Sequence, residues 1–278
     1  MPFHVFLIVL SLLFSTVSHA TAAQNQLKNA LLQTEKNVKD RELHGDAIFL
    51  ITQGAQLTGK SLALKPMKSL INMKDTFPSN IEYTLYQLRS VPLPSVQFTM
   101  PTKDDQFDAK MANLLIDSPH PQEVVNQDEG PWIMQILSNS LTCKPSSRPT
   151  TLVGEPNYEY ISTHQTIGLI FARQRNCISR KDFADSIGAY ALRIKNEFES
   201  ASKQFTDIQI ERAAVLCMIG QCKIVPDTFV NLLLTTQNKD GFWYATEDPL
   251  VNSGLFPPEH TTALAYYVLA RKLTDKKR

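Results

Sequence analysis

Hydrophobic residues recur with the period of an amphipathic helix through most of the second half of the chain. The pattern predicts helices at 164–175, 180–202, 207–220, 227–237 and 259–273. Ser179, Thr206 and Asp227 each stand before one of these apolar runs, where a side-chain oxygen can accept hydrogen bonds from free backbone N–H groups. The connections are short, so we expect consecutive helices to pack as antiparallel hairpins.

The first half carries a weaker helical pattern. Residues 24–43 and 80–89 each place apolar side chains at helical spacing, which predicts two further helices. In the first of these, the apolar positions are Leu27, Leu31, Leu32 and Val38. The largely apolar segment 46–53 stands between glycines and fits either a helix or a buried strand.

Two stretches rich in proline, serine and threonine interrupt the pattern. Residues 91–103 and 144–156 are too irregular for helices and are predicted to be connections. The remaining length suits one domain, so we expect a single α-helical domain over residues 23–278. The predicted fold class is all-α.

The N-terminal segment is typical of a secretory signal peptide. Residues 1–23 contain no Lys, Arg, Asp or Glu, and an apolar run from Val5 to Phe14 precedes small residues near Ala20 and Ala22. We therefore predict a signal peptide at residues 1–22 and a secreted or periplasmic protein; an uncleaved anchor is the alternative. No later stretch is long and apolar enough to span a bilayer, so no stable membrane insertion is expected after cleavage.

The chain has four cysteines, all downstream of the predicted signal peptide: Cys143, Cys177, Cys217 and Cys222. An even number in an oxidising compartment favours two disulfides, and four cysteines allow three pairings. The simplest pairing joins Cys143 to Cys177 and Cys217 to Cys222, because the last two flank a predicted helix end at Gly220. Free buried thiols are the alternative.

The balanced charge and the absence of several common motifs argue against several classes of function. Lys plus Arg number 28 and Asp plus Glu number 27, so no overall field would attract nucleic acid. The chain contains no nucleophile elbow, phosphate-binding loop, dinucleotide fingerprint or Cys-x-x-Cys pair. The remaining partners are a small molecule, a glycan or another protein.

Both tryptophans follow the same kind of turn. Gln127, Gly130 and Trp132 are spaced in the chain much as Gln237, Gly241 and Trp243 are, with an acidic residue near each glycine. A second similarity pairs His164 with His260, since each precedes a run of small and apolar residues and is expected to open a helix. The repeated unit predicts a helix that ends at Gln, a turn anchored by an aromatic ring, and a helix that begins near His.

This unit resembles the QW-type repeat of the terpenoid-cyclase superfamily, which includes squalene-hopene cyclases and protein prenyltransferase β subunits. The resemblance covers residues 227–273 well and 124–173 loosely. It implies an α/α-toroid, complete or partial, in which Gln237, Gly241, Trp243 and their counterparts at 127, 130 and 132 are structural. In that family the Gln caps a helix and stacks on the Trp.

The catalytic motifs of that family are incomplete in this chain. The Asp-x-Asp-Asp motif of the cyclases is absent, and the zinc site of the prenyltransferases would involve His260 but lacks its Asp-x-Cys partner. Asp104, Asp105 and Asp108 fit an Asp-Asp-x-x-Asp magnesium motif, although an acidic helix start explains them as well. We therefore expect no metal and no cofactor.

The sequence leaves two classes of function open. A binding or scaffold role is placed first. The alternative is a carbohydrate- or cell-wall-directed lyase or hydrolase that uses the loops at His164 and His260, with Glu259, Asp240 and Tyr244 as further catalytic candidates. Terpenoid or prenyl-group chemistry is a weaker alternative. An enzyme predicts that His260 and at least two carboxylates meet in one cavity, whereas a binding module predicts an apolar groove without converging titratable groups.

Overall fold

The computed structural model describes residues 3–72, 81–94, 98, 137, 140, 143, 159–201, 205–245 and 258–275. The first part contains α1 (Phe3–Val38), β1 (Glu42–Leu43), α2 (Gly45–Leu57), β2 (Lys65–Pro66), α3 (Lys68–Asn72) and α4 (Ile81–Leu88). The second part contains α5 (Glu159–Gln174), α6 (Arg180–Ser200), α7 (Asp207–Met218), a 3₁₀ turn (Cys222–Ile224), α8 (Asp227–Thr236) and α9 (Pro258–Asp275). The prediction of an all-α fold is confirmed. The two strands form only a short parallel pair in which Glu42 lies opposite Lys65.

The ambiguous segment 46–53 belongs to helix α2. Its side chains are buried nearly all round, because α2 packs against both α4 and α9. A helix enclosed in this way shows no amphipathic stripe, which explains why periodicity could not separate it from a buried strand.

Capping residues begin two of the later helices as predicted. Ser179 accepts a hydrogen bond from the backbone N–H of Asp182, and Thr206 accepts one from that of Gln209. The prediction for Asp227 was wrong, since Pro226 occupies the cap position and Asp227 is the first helical residue. A carboxylate there is still favoured by the positive end of the helix dipole.

Helix α9 lies at the centre of the core. It packs against α2, α7 and α1, and its residues from Ala263 to Ala270 are buried on every side. Gly54 of α2 allows the close approach of Tyr266, because a Cβ at this position would lie 2.9 Å from the tyrosine ring. The Tyr266 hydroxyl donates a hydrogen bond to Glu35 of α1 at 2.9 Å, so α9 ties the first helix to the core.

The turn after α8 is docked on α1. The Gln237 amide donates to the backbone oxygens of Ala30 and Gly241 and to the Thr34 hydroxyl. Trp243 is fully buried, and its indole N–H donates to the Leu233 carbonyl at 2.7 Å. These contacts hold the turn in place. The counterpart turn at Gln127, Gly130 and Trp132 lies outside the described residues, and a toroidal arrangement of the helices stays a prediction.

Both predicted cysteine pairs are at disulfide distance. Cys143 pairs with Cys177 and Cys217 pairs with Cys222, so all four cysteines of the chain are used. Two such pairs are compatible with an oxidising compartment.

Helix α1 runs without a break through residues 3–38, and it therefore includes most of the predicted signal peptide. Within the described residues, no helix is both long enough and apolar enough to cross a membrane. Cleavage near residue 22 stays a prediction.

Candidate functional site

Six titratable side chains meet where the beginnings of five helices converge. We call this set the buried cluster; its members are Asp46 of α2, Glu82 of α4, His164 of α5, Asp207 and Glu211 of α7, and His260 of α9. Each of them lies in the first or second turn of its helix. Helix N-termini carry partial positive charge, so this end of the fold favours carboxylates.

His260 connects three of the helices. Its Nδ1 lies 2.6 Å from Asp46 Oδ2, and an ionised carboxylate can only accept, so Nδ1 carries the proton of this hydrogen bond. The other ring nitrogen, Nε2, lies 3.5 Å from Asp207 Oδ2 and 3.6 Å from Glu211 Oε2. The imidazole therefore bridges the start of α2 and the first two turns of α7.

Glu211 lies between the two histidines. Its Oε1 is 3.1 Å from His164 Nδ1 and accepts a hydrogen bond from the Thr163 hydroxyl. The Oε2 atom points toward His260 and makes no hydrogen bond to any residue within the described part of the chain, although it is buried. Oε1 is thus held by a hydrogen bond, whereas Oε2 faces His260 without a hydrogen-bond donor from the described residues.

Asp207 is held by hydroxyl groups from two neighbouring helices. Thr261 of α9 donates to Oδ1, and the Tyr160 hydroxyl of α5 donates to Oδ2 at 3.3 Å. The carboxylate is fully buried. These bonds fix its orientation toward His260.

Burial and opposite charges shift the pKa values of the two histidines. Burial opposes protonation, but the carboxylates of Asp207, Asp46 and Glu211 raise the pKa of His260 well above its usual value. Burial also opposes protonation of His164, whose pKa is nevertheless raised by Glu211. Both imidazoles are therefore stabilised in the charged form.

The pKa values of the carboxylates are shifted in opposite directions. Burial opposes ionisation of Glu211 and Asp46, but the histidines hold the pKa of each below its usual range. Burial, together with the negative charge of Asp46, raises the pKa of Glu82 to about 8. Glu82 Oε2 also accepts a hydrogen bond of 2.6 Å from the backbone N–H of Gly45, at the start of α2. The cluster thus contains carboxylates with very different proton affinities.

A cavity of about 110 Å³ lies against the cluster. Most of its wall is apolar, and includes Phe49, Leu50, Leu85, Ile167, Ile170 and Phe171. The polar part of the wall is formed by Asp46, Glu82, His164, Glu211 and His260. An apolar cavity with a few converging polar groups is the usual form of a small-molecule site.

The structure brings together two of the five catalytic candidates named from sequence. His164 and His260 line the same cavity. His164 lies in the second turn of α5 rather than at its start. Glu259 and Asp240 instead form ion pairs with Arg41, and Tyr244 donates a hydrogen bond of 2.5 Å to Asp240. The magnesium candidates Asp104, Asp105 and Asp108 lie outside the described residues.

The four carboxylates of the cluster were not among the site residues predicted from the sequence. Asp46, Glu82 and Asp207 stand in the first turns of their helices, where acidic residues are common for local reasons. Asp207 and Glu211 are four residues apart and so share one face of α7, which is a usable signal. Their burial was the missing information.

Gly45 sets the distance between α2 and α4 at this site. A Cβ on Gly45 would lie 1.9 Å from the Glu82 carbonyl oxygen, so backbone would have to move. We expect Gly45→Ala to lower the free energy of unfolding by about 3 kcal/mol, the upper end for overpacking. Equilibrium urea unfolding measures this.

Gly59→Ala is the control for this substitution. A Cβ on Gly59 meets no atom within 4 Å, and only its positive φ of 74° opposes a side chain. We expect Gly59→Ala to lower the free energy of unfolding by about 1 kcal/mol. Equal losses for the two variants would contradict the proposed crowding of Gly45 by Glu82.

The chain matches no protein-family model, no curated protein and no solved structure. The site is therefore interpreted from its own geometry, and the resemblance to the terpenoid-cyclase superfamily stays a prediction.

Proposed function

We propose that this protein is an enzyme that acts on a small, largely apolar molecule, which enters the cavity and presents one polar group to the buried cluster. The observation that carries the proposal is that His164, His260 and three carboxylates line one apolar cavity. This is the arrangement expected of an enzyme rather than of a binding module, so we place catalysis ahead of a purely binding or scaffold role.

The energetic cost of the cluster supports a functional role. Charged groups taken out of water lose solvation worth several kcal/mol each, which ion pairs recover only in part. Apolar side chains of similar size would stabilise the fold equally well or better. A cluster of ionisable groups with strongly shifted pKa values beside a cavity is therefore more typical of a functional site.

The shape and chemistry of the cavity restrict the substrate. A volume of about 110 Å³ is smaller than the cavity of about 150 Å³ that holds benzene in another protein, so about five non-hydrogen atoms fit in the enclosed part. A glycan would need many hydrogen-bonding partners along its hydroxyls, and the wall is mostly apolar. A prenyl chain is too long. The carbohydrate and terpenoid alternatives are therefore less favoured than a short acyl or alkyl compound.

Imidazoles and carboxylates are the side chains that enzymes use most often to transfer protons and to activate water. Hydrolysis of short-chain esters is therefore the reaction to test first. In that reaction water attacks the carbonyl carbon, the bond to the alcohol oxygen breaks, and a proton passes to the leaving alcohol. Secretion or a periplasmic location is part of the proposal, supported by the N-terminal pattern and the two cysteine pairs.

The test is turnover of p-nitrophenyl esters with acyl chains from acetate to octanoate. We expect the highest kcat/KM for acyl chains of about four carbons, because longer chains exceed the enclosed volume. Glu211→Gln and His260→Asn are expected to lower kcat/KM by at least about 100-fold. Ile167→Phe, which narrows the cavity, should shift the preference to shorter chains.

Glu35→Gln is the matched control. Glu35 is also a buried carboxylate, but it pairs with Lys60 and Tyr266 and does not line the cavity. This variant should keep the wild-type rate. Methyl NMR signals of Ile167, Ile170 and Leu264 provide a second readout, since ethyl butyrate in the cavity should shift them. No turnover together with no shift of these signals would refute the proposal.

A further inference from the structure

We propose that Asp207, Glu211 and His260 bind one divalent transition-metal ion, with Zn²⁺ as the best match. Each residue offers one ligand atom, and the three atoms lie within 4.8 Å of one another. All three residues are buried. The inference extends the proposed function by naming a cofactor for the same site, but metal binding itself can be measured without any substrate.

The distances between the ligand atoms suit a metal ion. His260 Nε2 lies 3.5 Å from Asp207 Oδ2 and 3.6 Å from Glu211 Oε2. Ligands at about 2.0–2.1 Å in a tetrahedral arrangement are separated by about 3.3–3.4 Å. The two distances from His260 therefore need to shorten by only a few tenths of an ångström, and the Asp207 and Glu211 oxygens lie within 4.8 Å of each other. The two distances from His260 are long for direct hydrogen bonds.

Each ligand is already oriented by a second group. Asp46 accepts the Nδ1 proton of His260, so Nε2 faces the carboxylates, and a bound metal ion would replace the proton that Nε2 carries in the charged imidazole. Thr261 holds Oδ1 of Asp207, and Thr163 holds Oε1 of Glu211. Metal-binding histidines commonly donate their other N–H to a carboxylate, and metal-binding carboxylates commonly accept hydrogen bonds on the oxygen that faces away from the metal.

A separate observation supports a ligand at this point. Glu211 Oε2 is buried and has no hydrogen-bond donor among the residues that the structure describes. A buried carboxylate oxygen without a hydrogen-bond donor is costly, and a metal ion between it and Asp207 would remove that cost. The spacing of the two carboxylates also suits a shared ion, because Asp207 and Glu211 are four residues apart on one buried face of α7.

The ligand set narrows the choice of metal. One imidazole nitrogen and two carboxylate oxygens suit Zn²⁺ better than Ca²⁺ or Mg²⁺, which prefer oxygen alone. Three protein ligands also leave a position open, as in catalytic zinc sites. Glu211 and His260 line the cavity, so that position is next to the space where the substrate would bind.

The experiment is isothermal titration of Zn²⁺ into the full chain, purified without a histidine tag and stripped of metal with EDTA. We expect one Zn²⁺ per chain. His260→Asn and Glu211→Gln should each weaken binding at least about 100-fold, and Asp46→Asn, which removes the negative charge behind His260, should weaken it about 10- to 100-fold. Glu35→Gln, a buried carboxylate away from the site, should bind Zn²⁺ as the wild type does.

X-ray absorption of the zinc-loaded wild-type protein tests the ligands even if a variant does not fold. One imidazole and additional oxygen ligands at about 2.0–2.1 Å are expected. No stoichiometric Zn²⁺ binding, binding unchanged in His260→Asn, or a spectrum with sulfur or several imidazole ligands would each overturn the metal site.

The outcomes separate this inference from the proposed function. Ester turnover that persists after EDTA treatment, together with no Zn²⁺ binding, would remove the metal and leave the enzyme. Zn²⁺ binding, with neither ester turnover nor ligand binding in the cavity, would keep the metal site and refute the proposed enzyme.

Discussion

Replacing Trp243 with alanine is expected to lower the free energy of unfolding by about 3 to 5 kcal/mol. The indole is fully buried, and it donates a hydrogen bond of 2.7 Å to the Leu233 carbonyl at the end of α8. Truncation would leave a cavity and an unsatisfied backbone oxygen. Equilibrium guanidinium unfolding followed by circular dichroism measures the change.

Two further variants show whether packing or the hydrogen bond dominates. Trp243→Phe keeps most of the ring volume but loses the N–H donor, so we expect a loss of about 1 to 3 kcal/mol. Ile71→Ala is the control, because Ile71 is 52% exposed, and its effect should stay within about 0.5 kcal/mol. A loss below about 1 kcal/mol for Trp243→Ala would mean that the turn does not anchor the core.

Replacing Glu211 with leucine is expected to lower the free energy of unfolding by about 3 to 5 kcal/mol. Glu211 is the carboxylate between His164 and His260, and its removal leaves His164 buried without its nearest negative charge. Urea unfolding in the presence of EDTA measures the effect without any contribution from bound metal.

The double variant His164→Leu, Glu211→Leu tests the cause of that loss. Because both charges of the pair are then removed, we expect it to recover at least half of the stability lost in the single variant. Glu35→Leu is the matched control. Its partner Lys60 is 38% exposed and can turn into water, so a smaller loss of about 1 to 2 kcal/mol is expected. A double variant less stable than Glu211→Leu alone would contradict a charge-based origin.

These two predictions concern different parts of the same fold. Trp243 and Gln237 secure the turn that joins α8 to α1, whereas Glu211 belongs to the site between α5, α7 and α9. We therefore expect Trp243→Phe to reduce stability without changing the metal affinity or the acyl-chain preference. A change in either property would show that the turn and the site are coupled.

Much of the architecture could be predicted from sequence because helix formation depends on nearby residues. The period of apolar positions located the later helices, and Ser179 and Thr206 marked two of their starts. The spacing of Cys217 and Cys222 across a helix end gave their pairing. The exceptions were α3, which no periodic pattern indicated, and α2, whose burial on nearly all sides removes the alternation of apolar and polar positions.

The site depended on packing that no local pattern contains. Asp46 and His260 are separated by 214 positions in the chain and meet at 2.6 Å because α2 packs against α9. The spacing of Asp207 and Glu211 places both on one face of α7, but their burial beside His260 follows from the packing of α7 on α9. The later helices and two of their caps could be predicted from the residues alone, and the observed cysteine pairing was the simplest of three, since these features depend on short-range geometry. Which helix ends converge, and therefore which charges share a cavity, depends on contacts between residues far apart in the chain and is seen only in the folded protein.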